Sequence, residues 1–168
     1  MKHIFTIFCC VILLGCVKDG SSRYELQIGD CLPDFEAFMN DGTFISTESL
    51  KGSVSVVVFF HSSCHDCQQT LPVIQEVYDK YLSQKVNFIL ISRSQSVDEV
   101  SAYFTDNCLT MPYSAQNDRT IYEKFAKSGI PRIYVNDKYC IIRHTYSDES
   151  IPTFEQLCTA IDSTILLR

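Results

Sequence analysis

Residues 53–67 read SVSVVVFFHSSCHDC. Ser53–Phe60 is β-branched and aromatic, and it is apolar almost continuously rather than at every second position. Such a strand suits the middle of a sheet that is covered on both faces. Residues 64–83 follow with Leu71, Ile74, Val77 and Tyr78 at helical spacing, and Pro72 is expected to kink that helix. Cys64 and Cys67 therefore share one turn at the start of a helix that leaves a buried strand. The unpaired N–H groups and the dipole of a helix N-terminus favour an anion, and the thiolate is the reactive form of cysteine. Cys64 sits at that end, and Cys67, one turn in, is expected to be more buried. The pair can close a small disulfide and reopen it. His65, when protonated, would favour a thiolate on Cys64, whereas Asp66 would disfavour one on either sulfur.

The pattern continues on both sides of this stretch. Asp41-Gly42 marks a turn, with a strand at Thr43–Ile45. Lys85–Ser92 is a second buried strand, and Ser96–Thr105 is a helix with Ser96 and Glu99 placed as a capping box. Asp118–Lys127 reads as a helix stopped by Gly129. Ile133–Val135 and Tyr139–Tyr146 read as strands around an Asn136-Asp137 turn, and a last helix covers about Thr153–Ile165. Two strands joined by a long helix are parallel. The expectation is an α/β domain with a mixed central sheet and helices on both faces.

Composition sets the outer bounds. The chain has 168 residues, 46% of them hydrophobic and 20% charged, a globular balance for one domain. Lys+Arg number 14 against 20 Asp+Glu, and the net charge of −6 argues against nucleic acid or an anionic lipid surface as a partner.

The N-terminus reads as an address. Lys2 and His3 precede an apolar run from Ile4 to Leu14, about eleven residues where a membrane-spanning helix needs roughly 20. Leu13-Leu14-Gly15-Cys16 resembles a bacterial lipobox. The resemblance implies a signal peptide over 1–15, lipidation of Cys16, a lipidated tether over 16–25 and a folded domain over 26–168. The lipid would anchor the protein to a membrane without spanning it.

Several segments together resemble a family. Ile28-Gly29-Asp30-Cys31-Leu32-Pro33-Asp34-Phe35 is similar to the lead-in of the exported thioredoxin-like proteins related to TlpA and ResA. Asp41-Gly42, Leu50-Lys51-Gly52, Phe59-Phe60, Cys64, Cys67, Pro72 and Gly129-Ile130-Pro131 fall where that family has its hairpin, active-site strand, helix and loop. The resemblance implies a thioredoxin-like fold and thiol–disulfide exchange without a cofactor. It implies Cys64 as attacking sulfur, Cys67 as resolving sulfur, and a cis Ile130-Pro131 bond facing them as the backbone edge for substrate. Protein thiols or disulfides and a redox partner are the implied partners, and the bacterial cell envelope, facing the periplasm, is the implied location.

The chain departs from that family at three places. No tryptophan precedes Cys64, Val58 stands where thioredoxins bury a carboxylate, and Thr70 stands where the TlpA/ResA branch often has a glutamate. His61 could serve as proton acceptor instead, or be a surface histidine without a role.

Other functions compete. His61, Cys64, His65 and Cys67 could hold copper or zinc, as in a metal-carrying chaperone. A peroxiredoxin needs a Pro-x-x-x-Thr-x-x-Cys loop, and the residues before Cys64 lack that proline and threonine. A thioredoxin-fold module with vestigial chemistry, serving a secretion or glycan-uptake system, is a further reading. Cys31, Cys108, Cys140 and Cys158 are expected to be small buried hydrophobes, with a disulfide between two of them as the alternative.

Overall fold

A computed structural model describes residues 25–167. The expected signal peptide, the expected lipidation site Cys16 and all of the expected tether except Glu25 lie outside the described residues. Glu25, assigned to that tether, is instead structured: it bridges Ala126 in antiparallel fashion and pairs with Arg132. No helix among the described residues is long and apolar enough to cross a membrane.

The sequence's central strand is β3. Two short strands precede it, β1 (Glu36–Phe38) and β2 (Phe44–Ser46), paired antiparallel as a hairpin. β3 (Ser55–Phe60) is buried at every position, as its continuous apolar run requires. It pairs in parallel with β4 (Asn87–Ser92) and antiparallel with β6 (Arg132–Asn136). β5 (Tyr113–Ser114) and β7 (Ile142–Ser147) complete a mixed five-stranded sheet in the order β5-β4-β3-β6-β7. Helix α1 (His65–Tyr81) joins β3 to β4, α2 (Val97–Asp106) leads on to β5, and α3 (Phe154–Ile165) closes the chain. The capping box expected at Ser96 and Glu99 is formed, and Thr153 with Gln156 forms a second on α3. α1 runs through Pro72, whose missing N–H leaves the Gln68 carbonyl without its helical donor.

Alternation along the strands sorts the layers. Phe60 packs on Phe104 of α2, Phe88 on Tyr78 of α1, and the Tyr81 hydroxyl of α1 donates to Asp162 of α3 at 2.6 Å. All three α-helices thus lie on the Phe60 face rather than on both faces as expected, because the Asp118–Lys127 segment on the other side is wound only over Tyr122–Lys124. Phe59 points the other way, onto Tyr122, Phe125 and Tyr134, with ring centroids 4.7–6.4 Å away. That opposite face is covered by the segment around Tyr122, by Phe35 of the lead-in and by the β1–β2 hairpin.

Two local expectations change. Asp118–Lys127 is not an α-helix; only Tyr122–Lys124 is wound, as a 3-10 turn. Ile121, Tyr122, Phe125 and Ala126 have helical spacing and are all buried. Only a single turn closes among them, with the Phe125 and Ala126 N–H groups both on the Tyr122 carbonyl, while the Phe125 carbonyl accepts the Leu26 N–H at 3.0 Å and the Asp118 carboxylate takes the Thr120 N–H at 2.8 Å. The β6–β7 connection is also longer than a two-residue turn. Asn136 remains in β6, and buried Asp137 organises the loop by accepting N–H bonds from Tyr139 and Ile141 and pairing with Arg143 at 2.6 Å.

The cysteines divide. Cys140 and Cys158 are buried as expected, but Cys31 and Cys108 are exposed. Cys31 lies outward on the lead-in opposite Ile141, and Cys108 occupies a left-handed position (φ 53°) in the turn after α2. The described cysteines are all unpaired.

Phe59 is fully buried between β3 and the Tyr122–Phe125 segment. Phe59→Ala should cost about 3–5 kcal/mol, read as a lower urea midpoint at unchanged slope. A loss below about 1 kcal/mol would show that this face does not depend on the ring.

Candidate functional site

β3 ends at Phe60, and residues 61–64 turn the chain into α1. The turn closes with a Cys64 N–H to His61 carbonyl bond of 3.0 Å. Cys64 is the N-cap residue of α1, extended at φ −81° and ψ 124°. It has no hydroxyl or carboxylate with which to cap the helix, so first-turn N–H groups remain for an anion. Its sulfur is partly exposed and lies 3.5 Å from the Ile130 carbonyl. Cys67 is completely buried one turn further in.

The two thiols differ in kind. Burial pushes the Cys67 thiol far above the ordinary cysteine range, a backbone hydrogen bond from His61 offsets part of that, and the neighbouring Cys64 adds to the rise. The Arg93 guanidinium also favours its thiolate. Cys67 is a protonated thiol until something draws the proton away. Thr70 does not do so, since its hydroxyl donates back to the Asp66 carbonyl at 2.6 Å.

The expected loop faces this pair. Ile130-Pro131 is cis, and both residues are buried. Tyr122 donates to the Gly129 carbonyl at 2.7 Å, and Arg132 donates to the Ser128 carbonyl at 2.9 Å, so the loop is tied at two successive carbonyls ahead of Ile130-Pro131. Gly129 has φ +81°, a left-handed conformation in which any other side chain is strained, and a β-carbon there would also push aside the Asp148 carboxylate 2.6 Å away.

The structure separates the histidines. A backbone N–H can only donate, so the 3.2 Å bond from Ser63 makes His61 Nδ1 an acceptor and leaves its proton on Nε2. Burial and the Arg93 charge hold the His61 imidazole below its usual value, in keeping with a neutral ring. His65 is exposed, and its Nε2 meets the Gln69 amide at 3.2 Å. His61, Cys64, His65 and Cys67 do not converge, and among the described residues no three metal-ligating side chains are gathered as a site. The metal-carrier reading loses its geometry.

Sequence reasoning missed the residues that brace the turn. Gln95, Gln68, Arg93 and Tyr122 all reach it or the facing loop. Position held a signal for two of them: Arg93 and Gln95 follow β4, which is parallel to β3, so they emerge at the same sheet end as Cys64.

A dithiol on the first turn after the central strand, with a cis-proline loop across from it, is the thioredoxin arrangement. The whole fold agrees. It superposes on a thiol:disulfide interchange protein of the thioredoxin family from Chlorobium tepidum TLS with a TM-score of 0.71, at 19% identity over 84% of this chain and 99% of that one. It superposes on StoA from Bacillus subtilis with a TM-score of 0.67, at 23% identity over 77% and 96% of the two chains. The chain belongs to the AhpC/TSA family, whose model matches residues 28–145. In sequence it is similar to the thiol-disulfide oxidoreductase ResA of Bacillus thuringiensis (strain Al Hakam), 24% identical over 82% of this chain and 83% of that protein. It is also similar to the thiol-disulfide oxidoreductase YkuV of Bacillus subtilis (strain 168), 27% identical over 60% and 71% of the two.

Exposure predicts selective labelling. Iodoacetamide applied to the native protein at pH 8 should modify Cys64, with the exposed Cys31 and Cys108, and spare Cys67, Cys140 and Cys158. Peptide masses read the result, and labelling of Cys67 as fast as Cys64 would contradict the buried, protonated state.

Proposed function

We propose that this protein is a thiol–disulfide oxidoreductase that exchanges electrons with protein partners through a mixed disulfide at Cys64. The observation that carries the reading is the asymmetry of the pair: Cys64 is reachable at the N-cap of α1, while Cys67 is fully buried behind it. In the reducing direction, the Cys64 thiolate attacks a substrate disulfide, one substrate sulfur leaves as thiolate, and a mixed disulfide forms. Cys67 then attacks the Cys64 sulfur, giving up its proton as the second substrate sulfur leaves and takes one. Two electrons and the Cys67 proton pass to the substrate, its first thiolate takes a second proton from solvent in place of the one Cys64 gave up on ionising, and the Cys64–Cys67 disulfide remains. The opposite direction runs the same steps backwards.

The Ile130 backbone supplies the second half of the site. Its carbonyl lies beside the Cys64 sulfur, so an extended substrate segment paired along Ile130 and Pro131 would present its cysteine to Cys64. No organic cofactor takes part. The Leu13–Cys16 lipobox supports a lipid-anchored protein of the bacterial cell envelope, its domain facing the periplasm.

The test is a redox titration of the full chain in detergent, equilibrated in glutathione buffers. Thiols are trapped by alkylation, and each cysteine is read by peptide mass. Cys64 and Cys67 should oxidise together with a single two-electron midpoint. If they fail to form a disulfide at any ratio, the reading is wrong.

A further inference from the structure

Ser62 is held at all three of its polar groups by two glutamines. Its N–H donates to Gln95 Oε1 at 2.8 Å, its hydroxyl oxygen accepts from Gln95 Nε2 at 2.6 Å, and its carbonyl accepts from Gln68 Nε2 at 2.8 Å. The N–H contact fixes the orientation of the Gln95 amide, since only its oxygen can accept. Gln95 is 3% exposed, so a long polar side chain has been buried with both ends of its amide used on one residue. Burying an amide is unfavourable unless it is satisfied, and here the satisfaction is directed wholly at the turn before Cys64.

Gln95 is itself held firmly. Its N–H donates to the Gln116 carbonyl at 2.8 Å, and Ser94, left-handed at φ +58°, donates to the Asp118 carbonyl at 3.0 Å. Arg93 extends the β3–β4 ladder past the strand ends by donating to the Phe60 carbonyl at 3.0 Å. Residues 93–95 are therefore a fixed wall from which Gln95 reaches across to Ser62.

We propose that Gln95 is a positioning residue for thiol–disulfide exchange, acting through Ser62 to hold the His61–Cys64 turn and so to set the balance between the Cys64–Cys67 dithiol and its disulfide. The link to the sulfurs is short. Ser62 lies inside the turn that the Cys64 N–H closes on the His61 carbonyl at 3.0 Å, two residues before the N-cap Cys64 itself. Held at the N-cap, the Cys64 sulfur lies by unpaired first-turn N–H groups, which stabilise its thiolate and so the reduced pair and have no equal partner in the disulfide. Loosening the turn should therefore favour the disulfide and make the pair a stronger reductant. The inference rests on the proposed redox role of Cys64 and Cys67.

The test compares midpoints of the full chain in detergent against glutathione. In each equilibrium the protein disulfide takes two electrons and two protons from two glutathione thiols, which leave as glutathione disulfide. Gln95→Met keeps length and removes the amide. It should shift the equilibrium constant about tenfold toward the protein disulfide, about 30 mV more negative. Ser62→Ala, which loses only the hydroxyl contact, should shift it less and in the same direction. The double variant should shift no further than Gln95→Met alone. Circular dichroism establishes that each variant is folded, and if Gln95→Met does not fold, Ser62→Ala and Gln95→Asn carry the comparison. A folded Gln95→Met within twofold of the wild type, or a double variant whose shifts simply add, would overturn the role. A wild-type protein without a two-electron midpoint would instead overturn the oxidoreductase reading on which it rests.

Discussion

β3 and β6 run antiparallel with Phe59 opposite Arg132, and this register determines where the site can be. The chain leaves β3 just past Phe60 and enters β6 just before Arg132. The turn that carries Cys64 and the loop that carries Pro131 must therefore meet at one end of the sheet. β4, parallel to β3, adds Arg93 and Gln95 at the same end. Three segments far apart in sequence converge there because the central strand pairs on both sides. That pairing depends in turn on the burial of Ser55–Phe60 between the helical layer and the Phe59 layer. A slip of one residue would turn Phe59 and Phe60 to the wrong faces and separate Cys64 from the Ile130 carbonyl.

Cys67 is buried in the apolar core with Cys64 packed against it, and no carboxylate is among the groups that act on its thiol. The family's common glutamate position is Thr70, whose hydroxyl is committed to its own helix. The charged side chain acting on Cys67 is Arg93, which also lies 4.8 Å above the Tyr122 ring beneath the cis-proline loop. A cation there favours the Cys67 thiolate by charge, whereas a carboxylate would help by accepting its proton. Position 70 supplies no proton acceptor, and the turn that carries Cys64 is held at Ser62 by two glutamines.

Much of this was legible before the fold was seen. The unbroken apolar run of β3 marked a strand covered on both faces, and the two cysteines after it marked the site. The Gly129-Ile130-Pro131 loop was legible through family resemblance, and its place opposite Cys64 follows from pairing that no local pattern carries. Ile121, Tyr122, Phe125 and Ala126 misled because periodicity reports which side chains are buried, not what their backbone bonds to. β5 has two residues and β1 three, too few for alternation to show. Cys31 and Cys108 lay in apolar surroundings yet face outward, because an edge segment and a left-handed turn decide their direction. Gln95 looked like any loop glutamine, since its importance lies in a contact across 33 positions of sequence.

The central claim is a division of labour: Cys64 makes the bond to substrate and Cys67 breaks it. The most direct measurement is to incubate the Cys67→Ser and Cys64→Ser variants with oxidised glutathione and read the adducts by intact and peptide mass. The account predicts a stable glutathione mixed disulfide at Cys64 in Cys67→Ser, and none at Cys67 in Cys64→Ser. Adducts at Cys67, or a Cys67→Ser protein that leaves Cys64 unmodified, would contradict it.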